Sequence, residues 1–124
     1  MERQTSRACS VAIRYLEALA SQDWGAVSGC LASDVHRSGP FGDNFKGVPA
    51  YVSYLQRTMP ALPGYRMDID GVTDLGDERA LVELRETIEL DSGPFITHEC
   101  LVFVVDSDGL LNEISVYIRH APQC

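Results

Sequence analysis

The sequence predicts an α+β domain, with three short amphipathic helices at the N-terminal end followed by a curled, mostly antiparallel sheet that encloses one apolar pocket. Two observations carry this reading. Apolar residues recur at helical spacing through roughly the first half of the chain and then switch to a period of two. Clusters of turn-forming residues then cut the second half into segments, each long enough for one strand. Helices first and strands last points away from alternating βαβ units. A chain of 124 residues suits one domain with one core, taken as residues 1–124.

The first helix is marked by Cys9, Ala12, Ile13, Leu16, Leu19 and Ala20 at helical spacing. Asp23 suits the N-cap of a second helix, with Trp24, Val27 and Leu31 on one side. After Asp34 the pattern reads as a short extended piece and then a turn-rich loop, Ser38-Gly39-Pro40-Phe41-Gly42-Asp43-Asn44. A third helix carries Val48, Tyr51, Val52, Leu55 and Met59, with Pro49 in its first turn and Pro60 and Pro63 barring continuation.

From Tyr65 the alternation of Tyr65, Met67 and Ile69 with Arg66, Asp68 and Asp70 predicts a half-exposed strand. Gly76-Asp77, Asp91-Ser92-Gly93-Pro94 and Asp106-Ser107-Asp108-Gly109 separate three more. In the segment Phe95 to Val105, Leu101, Phe103 and Val105 make one face and Cys100, Val102 and Val104 the other. Both faces are therefore expected to be covered, one by the helices and the other by a second copy of the chain in a homodimer.

Composition narrows the partners. The chain is 45% apolar and 23% charged, with a net charge of -8 and its basic residues scattered, which disfavours nucleic acid and anionic membranes. No uninterrupted apolar stretch approaches a membrane span and the first ten residues lack an apolar segment, so the expected location is cytoplasmic. Cys9, Cys30, Cys100 and Cys124 form no C-x-x-C pair and stand beside only three histidines, His36, His98 and His120; no metal site and no cofactor are predicted, and the thiols are read as reduced. Tyr51 and Trp24 fit core packing, as aromatics at helical spacing commonly do.

One residue breaks its face. Along Ala80 to Leu90 the even positions read Ala80, Val82, Leu84, Glu86, Ile88 and Leu90, so Glu86 stands in an apolar row. A buried carboxylate needs a partner or a proton, because desolvating its charge costs several kcal/mol, on the order of what a general acid or base exploits. A β-bulge turning Glu86 outward, or a structural ion pair, would account for it equally. Glu99 raises the same question one strand later, on the face of Leu101 and Phe103.

The stretch Arg14-Tyr15-Leu16-Glu17-Ala18-Leu19, continuing through Asp23 and Leu31-Ala32-Ser33-Asp34 to Pro40 and Gly42, resembles the opening of the ketosteroid isomerases and SnoaL-like polyketide cyclases. The likeness runs on through Lys46-Gly47 and resumes at Leu101-Val102-Phe103 and Asp108-Gly109. It implies the cone-shaped α+β barrel of the nuclear-transport-factor-2-like superfamily, and identifies fold better than chemistry. Carried over by position, the isomerase's oxyanion-holding tyrosine would be Tyr15. Its base would fall on Gly39 and its protonated aspartate on Leu101, so both acids are missing and steroid isomerisation is not expected.

The same register turns Val35 and Phe41 inward from the first strand, Tyr54 from the third helix, Val82, Leu84 and Ile88 from one strand and Ile114, Val116 and Ile118 from the last, implying a mainly apolar pocket to which Leu101 and Phe103 are added. Its polar minority would be Tyr15, Arg37, Tyr54 and Glu86, with Arg37 and Glu86 as a possible ion pair. His36, one residue out of phase, belongs at the surface or dimer face by register but titrates where acid–base chemistry needs it. Tyr15, Arg37, His36, Glu86 and Glu99 are thus the candidate catalytic residues. The resemblance implies cyclisation, isomerisation, dehydration or epoxide opening on a small apolar oxygenated compound such as a polyketide or terpenoid; a non-catalytic ligand-binding or dimerisation module of the same fold is the alternative.

Overall fold

The computed structural model describes residues 6–119. Helix α1 spans Arg7–Ala20, opened by the Ser6 hydroxyl, which accepts from the Cys9 amide at 3.1 Å. Helix α2, Trp24–Gly29, is capped by Asp23 accepting from the Ala26 amide at 3.2 Å, as its sequence position predicts. Leu31 does not extend α2. It begins strand β1, Leu31–Ser38, because the helix closes at Gly29 with Cys30 as its C-cap.

The order of elements also differs from helices-then-strands. The turn-rich stretch after Ser38 is a hairpin loop, closed by the Gly39 amide donating to the Asp43 carbonyl at 2.8 Å, and it returns as strand β2, Asn44–Lys46. Two strands therefore precede helix α3, Val48–Thr58. Gly47 enters α3 at a φ of 86°, a conformation natural to glycine, Pro49 occupies the first turn, and a single 3-10 turn, Met59–Ala61, ends the helical region.

Strands β3 (Arg66–Gly76), β4 (Arg79–Leu90), β5 (Gly93–Val105) and β6 (Leu111–Arg119) complete a six-stranded sheet of order β2-β1-β6-β5-β4-β3. Every neighbouring pair is antiparallel except β1 and β6. Register shifts at Ile69/Gly71, Asp74/Gly76 and Val104/Val105 mark bulges, which bend and twist the strands that carry them. The β3–β4 turn places Asp77 and Glu78 at φ of 55° and 60°, the paired left-handed conformation of a two-residue hairpin loop.

Helix α1 packs across β3, β4 and β5, and α3 packs on β1 and β2. The core between them includes Tyr15, Leu16, Val27, Val35, Val82, Phe103, Leu111 and Ile114. On β5, Leu101, Phe103 and Val105 are buried as their alternation predicts, while Cys100, Val102 and Val104 on the opposite row are half-buried in the single chain. Thr87 departs from the pattern: it is an odd position on β4 yet only 1% exposed, flanked across the ladder by Arg66 and Ile96. Cys9, Cys30 and Cys100 are free thiols, and Cys124 and His120 lie outside the described residues. No helix among the described residues is long and apolar enough to cross a membrane.

Candidate active site

Between the helices and the concave row of the sheet lies a cavity of about 220 Å³. Its floor and walls are Leu16, Leu19, Leu55, Met59, Leu62, Met67, Leu84, Leu101 and Val116, and its polar atoms come from Tyr15, Arg37, Tyr51, Tyr54, Thr58, Glu86 and Glu99. A second space of about 190 Å³ adjoins it, sharing Arg37, Tyr54, Glu86, Glu99 and Val116 and adding Pro40, Phe41, Asp43 and Ile118; it forms the mouth. A larger depression of about 420 Å³ is bordered mainly by outer-row groups, including Asp70, Glu83, His98, Cys100, Tyr117 and Arg119, and also by Leu84, Glu99 and Ile118, but by none of the tyrosines from α1 and α3.

The two glutamates meet because of hairpin register. The β4–β5 loop is two residues, with Leu90 opposite Gly93, so Glu86 falls opposite Thr97 and Leu84 opposite Glu99. Glu86 and Glu99 are therefore diagonal neighbours on one face of adjacent antiparallel strands, close enough for long side chains to touch. Their carboxyls are close enough to share a proton through a hydrogen bond. Burial, followed by that hydrogen bond and the charge of Glu86, pushes the Glu99 carboxyl up to about 9, against a smaller opposing pull from Arg37. The pair thus holds a proton well above the ordinary carboxylate range. The second carboxylate oxygen interaction of Glu86 is with Tyr65, whose hydroxyl donates to Oε2.

A separate polar chain faces the pair across the cavity. The hydroxyls of Tyr15 and Tyr51 are hydrogen-bonded to each other, and burial raises both phenols, which keeps them protonated. The guanidinium of Arg37 lies 5.8 Å from the Tyr51 ring centroid and 5.7 Å from that of Tyr54, and its Nη1 donates to Asp43 Oδ2 at 2.6 Å. Asp43 in turn accepts from the Phe41 amide, which ties the β1–β2 loop to the site. The Nε of Arg37 is buried without a hydrogen-bond partner.

Several sequence expectations change here. Arg37 pairs with Asp43 and not with Glu86, because the hairpin loop folds Asp43 back beside it. Tyr51 is a cavity residue bonded to Tyr15, not packing alone. His36 is half-buried on the opposite row of β1, registered against Lys46 and Glu113, and does not border the cavity. Phe103 is fully buried beneath Tyr15, ring centroids 5.8 Å apart, and belongs to the core. Phe41 is 74% exposed at the mouth, and Ile88 sits two residues beyond Glu86 toward the hairpin end, outside the lining set. Tyr15, Arg37, Tyr54, Leu84, Glu86, Glu99, Leu101 and Val116 do line the cavity, and Ile118 lines the mouth.

Three contributors had not been singled out: Asp43, Tyr51 and Tyr65. For Tyr51 the signal was present, since it lies three residues before Tyr54 on the same stripe of α3. Among the described residues no group of three or more His, Cys, Asp or Glu side chains is placed to hold a metal ion.

The SnoaL-like domain model matches residues 12–114, which takes in both carboxyls, all the helices' cavity residues and Arg37. The chain belongs to the SnoaL-like family. Its fold is shared with solved structures described as NTF2-like. An LEH-like epoxide hydrolase from M. tuberculosis superposes with a TM-score of 0.79 at 22% identity, over 94% of this chain and 86% of the other. A candidate ketosteroid isomerase from Kribbella flavida DSM 17836 gives 0.80 at 20% identity, over 95% and 82%. A candidate polyketide cyclase from Xanthomonas campestris pv. campestris gives 0.71 at 26% identity, over 91% and 90%. No curated protein matches the chain in sequence.

Proposed function

We propose that this SnoaL-like protein is an acid–base enzyme acting on a small apolar oxygenated compound of the polyketide or terpenoid kind, with the sheet as the wall of a cone and the Glu86–Glu99 pair as its proton-transfer centre. The carrying observation is that pair: two neighbouring carboxyls whose proton is held well above the ordinary carboxylate range, facing a mainly apolar cavity that also holds Tyr15, Arg37 and Tyr51. An acid as weak as Glu99 gives up its proton only to an oxygen that becomes strongly basic, as an alkoxide does when a C–O bond breaks. Epoxide opening and dehydration fit that demand better than enolisation of a ketone, which would need a strong base and the two acids missing at Gly39 and Leu101. In this scheme Glu99 protonates the departing oxygen. Glu86 takes a proton from the attacking water or the adjacent carbon, and Tyr15 and Tyr51 orient the substrate.

Two observations favour the alternative of a non-catalytic binding module. Its polar groups are largely spent on one another, Arg37 on Asp43 and Tyr15 on Tyr51, and the enclosed volume of about 220 Å³ lies below the usual range for ligand sites, about 300–1,000 Å³. The deciding experiment is turnover of a panel of terpenoid epoxides and β-hydroxy ketones by the parent and by Glu99→Gln and Glu86→Gln. A drop of about 100-fold or more in each variant supports the enzyme. Unchanged turnover in both variants, or compounds bound but never converted, supports the module.

The same proposal includes a homodimer through the outer row of the sheet, where Tyr117 is 59% exposed and Cys100, Val102 and Val104 are half-covered. Light scattering at micromolar concentration should give twice the chain mass; a monomer overturns this part.

A further inference from the structure

Tyr65 has no part in the acid–base scheme, and it is neither on a strand nor on a helix. It stands between the 3-10 turn and β3, in a linker whose path is fixed by the Glu89 amide donating to the Pro63 carbonyl at 2.7 Å. That bond anchors the linker to the end of β4 that carries Glu86 and turns the Tyr65 hydroxyl onto Oε2 of that carboxylate. Burial, and then the charge and hydrogen bond of Glu86, holds the Tyr65 phenol far above its ordinary range, so its hydroxyl keeps the proton it donates to Glu86.

The two carboxyls of the pair are thereby made unequal. Glu86 accepts from the Tyr65 hydroxyl, whereas among the described residues no hydroxyl donates to Glu99. Hydrogen-bond donors favour the ionised form of the carboxylate they serve. Other charged or titratable groups facing the pair are Arg37 from β1, partly neutralised by Asp43, Tyr15 from α1, and Tyr51 and Tyr54 from α3. The charge of Arg37 opposes a proton on Glu99, so it does not produce the asymmetry. We infer that Tyr65 is a positioning residue: by donating to Glu86 it fixes the shared proton on Glu99 and so decides which carboxyl delivers a proton to the substrate. The functional half of this statement rests on the acid–base reading above; the location of the proton does not.

The test uses the ligand-free full-length chain labelled with ¹³C at the glutamate carboxyls, titrated by NMR, with Glu86→Gln and Glu99→Gln assigning the two resonances. In the parent, the protonated-carboxyl signal at neutral pH should belong to Glu99. In Tyr65→Phe, which keeps the ring and loses the donor, that signal should pass wholly or partly to Glu86, with the Glu99 midpoint falling by about one pH unit or more, a tenfold change in proton occupancy. Site-specific 3-fluorotyrosine at position 65, a stronger donor of nearly the same shape, should move Glu99 the opposite way and keeps the test open if the phenylalanine variant folds poorly. An unchanged proton allocation in either variant overturns the inference. The acid–base reading fails separately, through turnover that is indifferent to Glu99→Gln while the NMR shift is still observed.

Discussion

Replacing Glu99 by glutamine should make the protein more stable, and increasingly so as the pH rises. Free in an unfolded chain, this carboxyl would lose its proton near its ordinary value of 4.5; in the fold it keeps the proton up to about 9. Between those values the folded state holds more protons than the unfolded state, so the stability of the parent falls with rising pH at about 1.4 kcal/mol per unit. The contribution is fully present below about pH 4.5 and gone above about pH 9. From about pH 5.5 to about pH 7.5 the loss is on the order of a few kcal/mol, a large fraction of the roughly 5–15 kcal/mol typical of a small domain.

Glutamine has no proton to lose and can still donate to Glu86 through its amide. The difference in unfolding free energy, variant minus parent, should therefore grow by on the order of a few kcal/mol over that interval, which for a chain of this size corresponds to roughly 10 °C in melting temperature. Urea unfolding of both proteins at several pH values measures it, and taking the difference cancels the other carboxylates. A difference that stays flat across the interval, or that favours the parent at the high end, would refute the placement of a neutral acid at Glu99. Stabilisation combined with lost turnover would mark the residue as one retained for chemistry at the expense of stability.

Further expectations follow from the other contacts. Asp43→Asn leaves the Arg37 guanidinium without its charged partner in a mostly covered position and should cost about 1–3 kcal/mol in urea unfolding, with substitution at Phe41 on the exposed rim costing under about 0.5 kcal/mol. Phe103→Ala, which removes a fully buried ring under Tyr15, should cost about 3–5 kcal/mol; a loss under about 1 kcal/mol would mean that the ring is not core. Tyr15→Phe deprives the buried Tyr51 hydroxyl of its partner and should cost about 1–2 kcal/mol while leaving the fold intact by circular dichroism. His36→Gln should leave turnover and stability within error, since its row faces away from the cavity.

Much of this architecture was legible because local chemistry and global packing agree. Asp23 caps α2, Pro49 opens α3, and the period-two row of β4 places Leu84 and Glu86 on the cavity side, each for reasons that operate within a few residues. The β1–β2 hairpin was not legible, because β2 is only three residues long and its loop of Gly, Pro and Asp reads as irregular chain. The Arg37–Asp43 pair was lost with it: without the hairpin, nothing brings Asp43 back beside Arg37. Tyr65 was hidden for another reason. Its alternation with Met67 and Ile69 suggested strand packing, whereas its role depends on the linker before β3 being tied to Glu89 near the far end of β4.

The glutamate pair itself lies between these cases, and it shows how a carboxyl centre can be built from very little sequence. Alternation alone gave two suspicious residues, Glu86 and Glu99, with bulges or surface exposure as equal explanations. What joins them is the length of one turn: with two residues between Leu90 and Gly93, each position on β4 is bound to one on β5, and 86 falls diagonal to 99. A one-residue slip of β5 would turn Glu99 to the outer row, bring His98 and Cys100 to the inner one, and dissolve the pair. A single-residue insertion after Ser92 should therefore shift the whole β5 register or be absorbed as a local bulge. Only in the second case should the pH dependence of stability attributed to Glu99 persist.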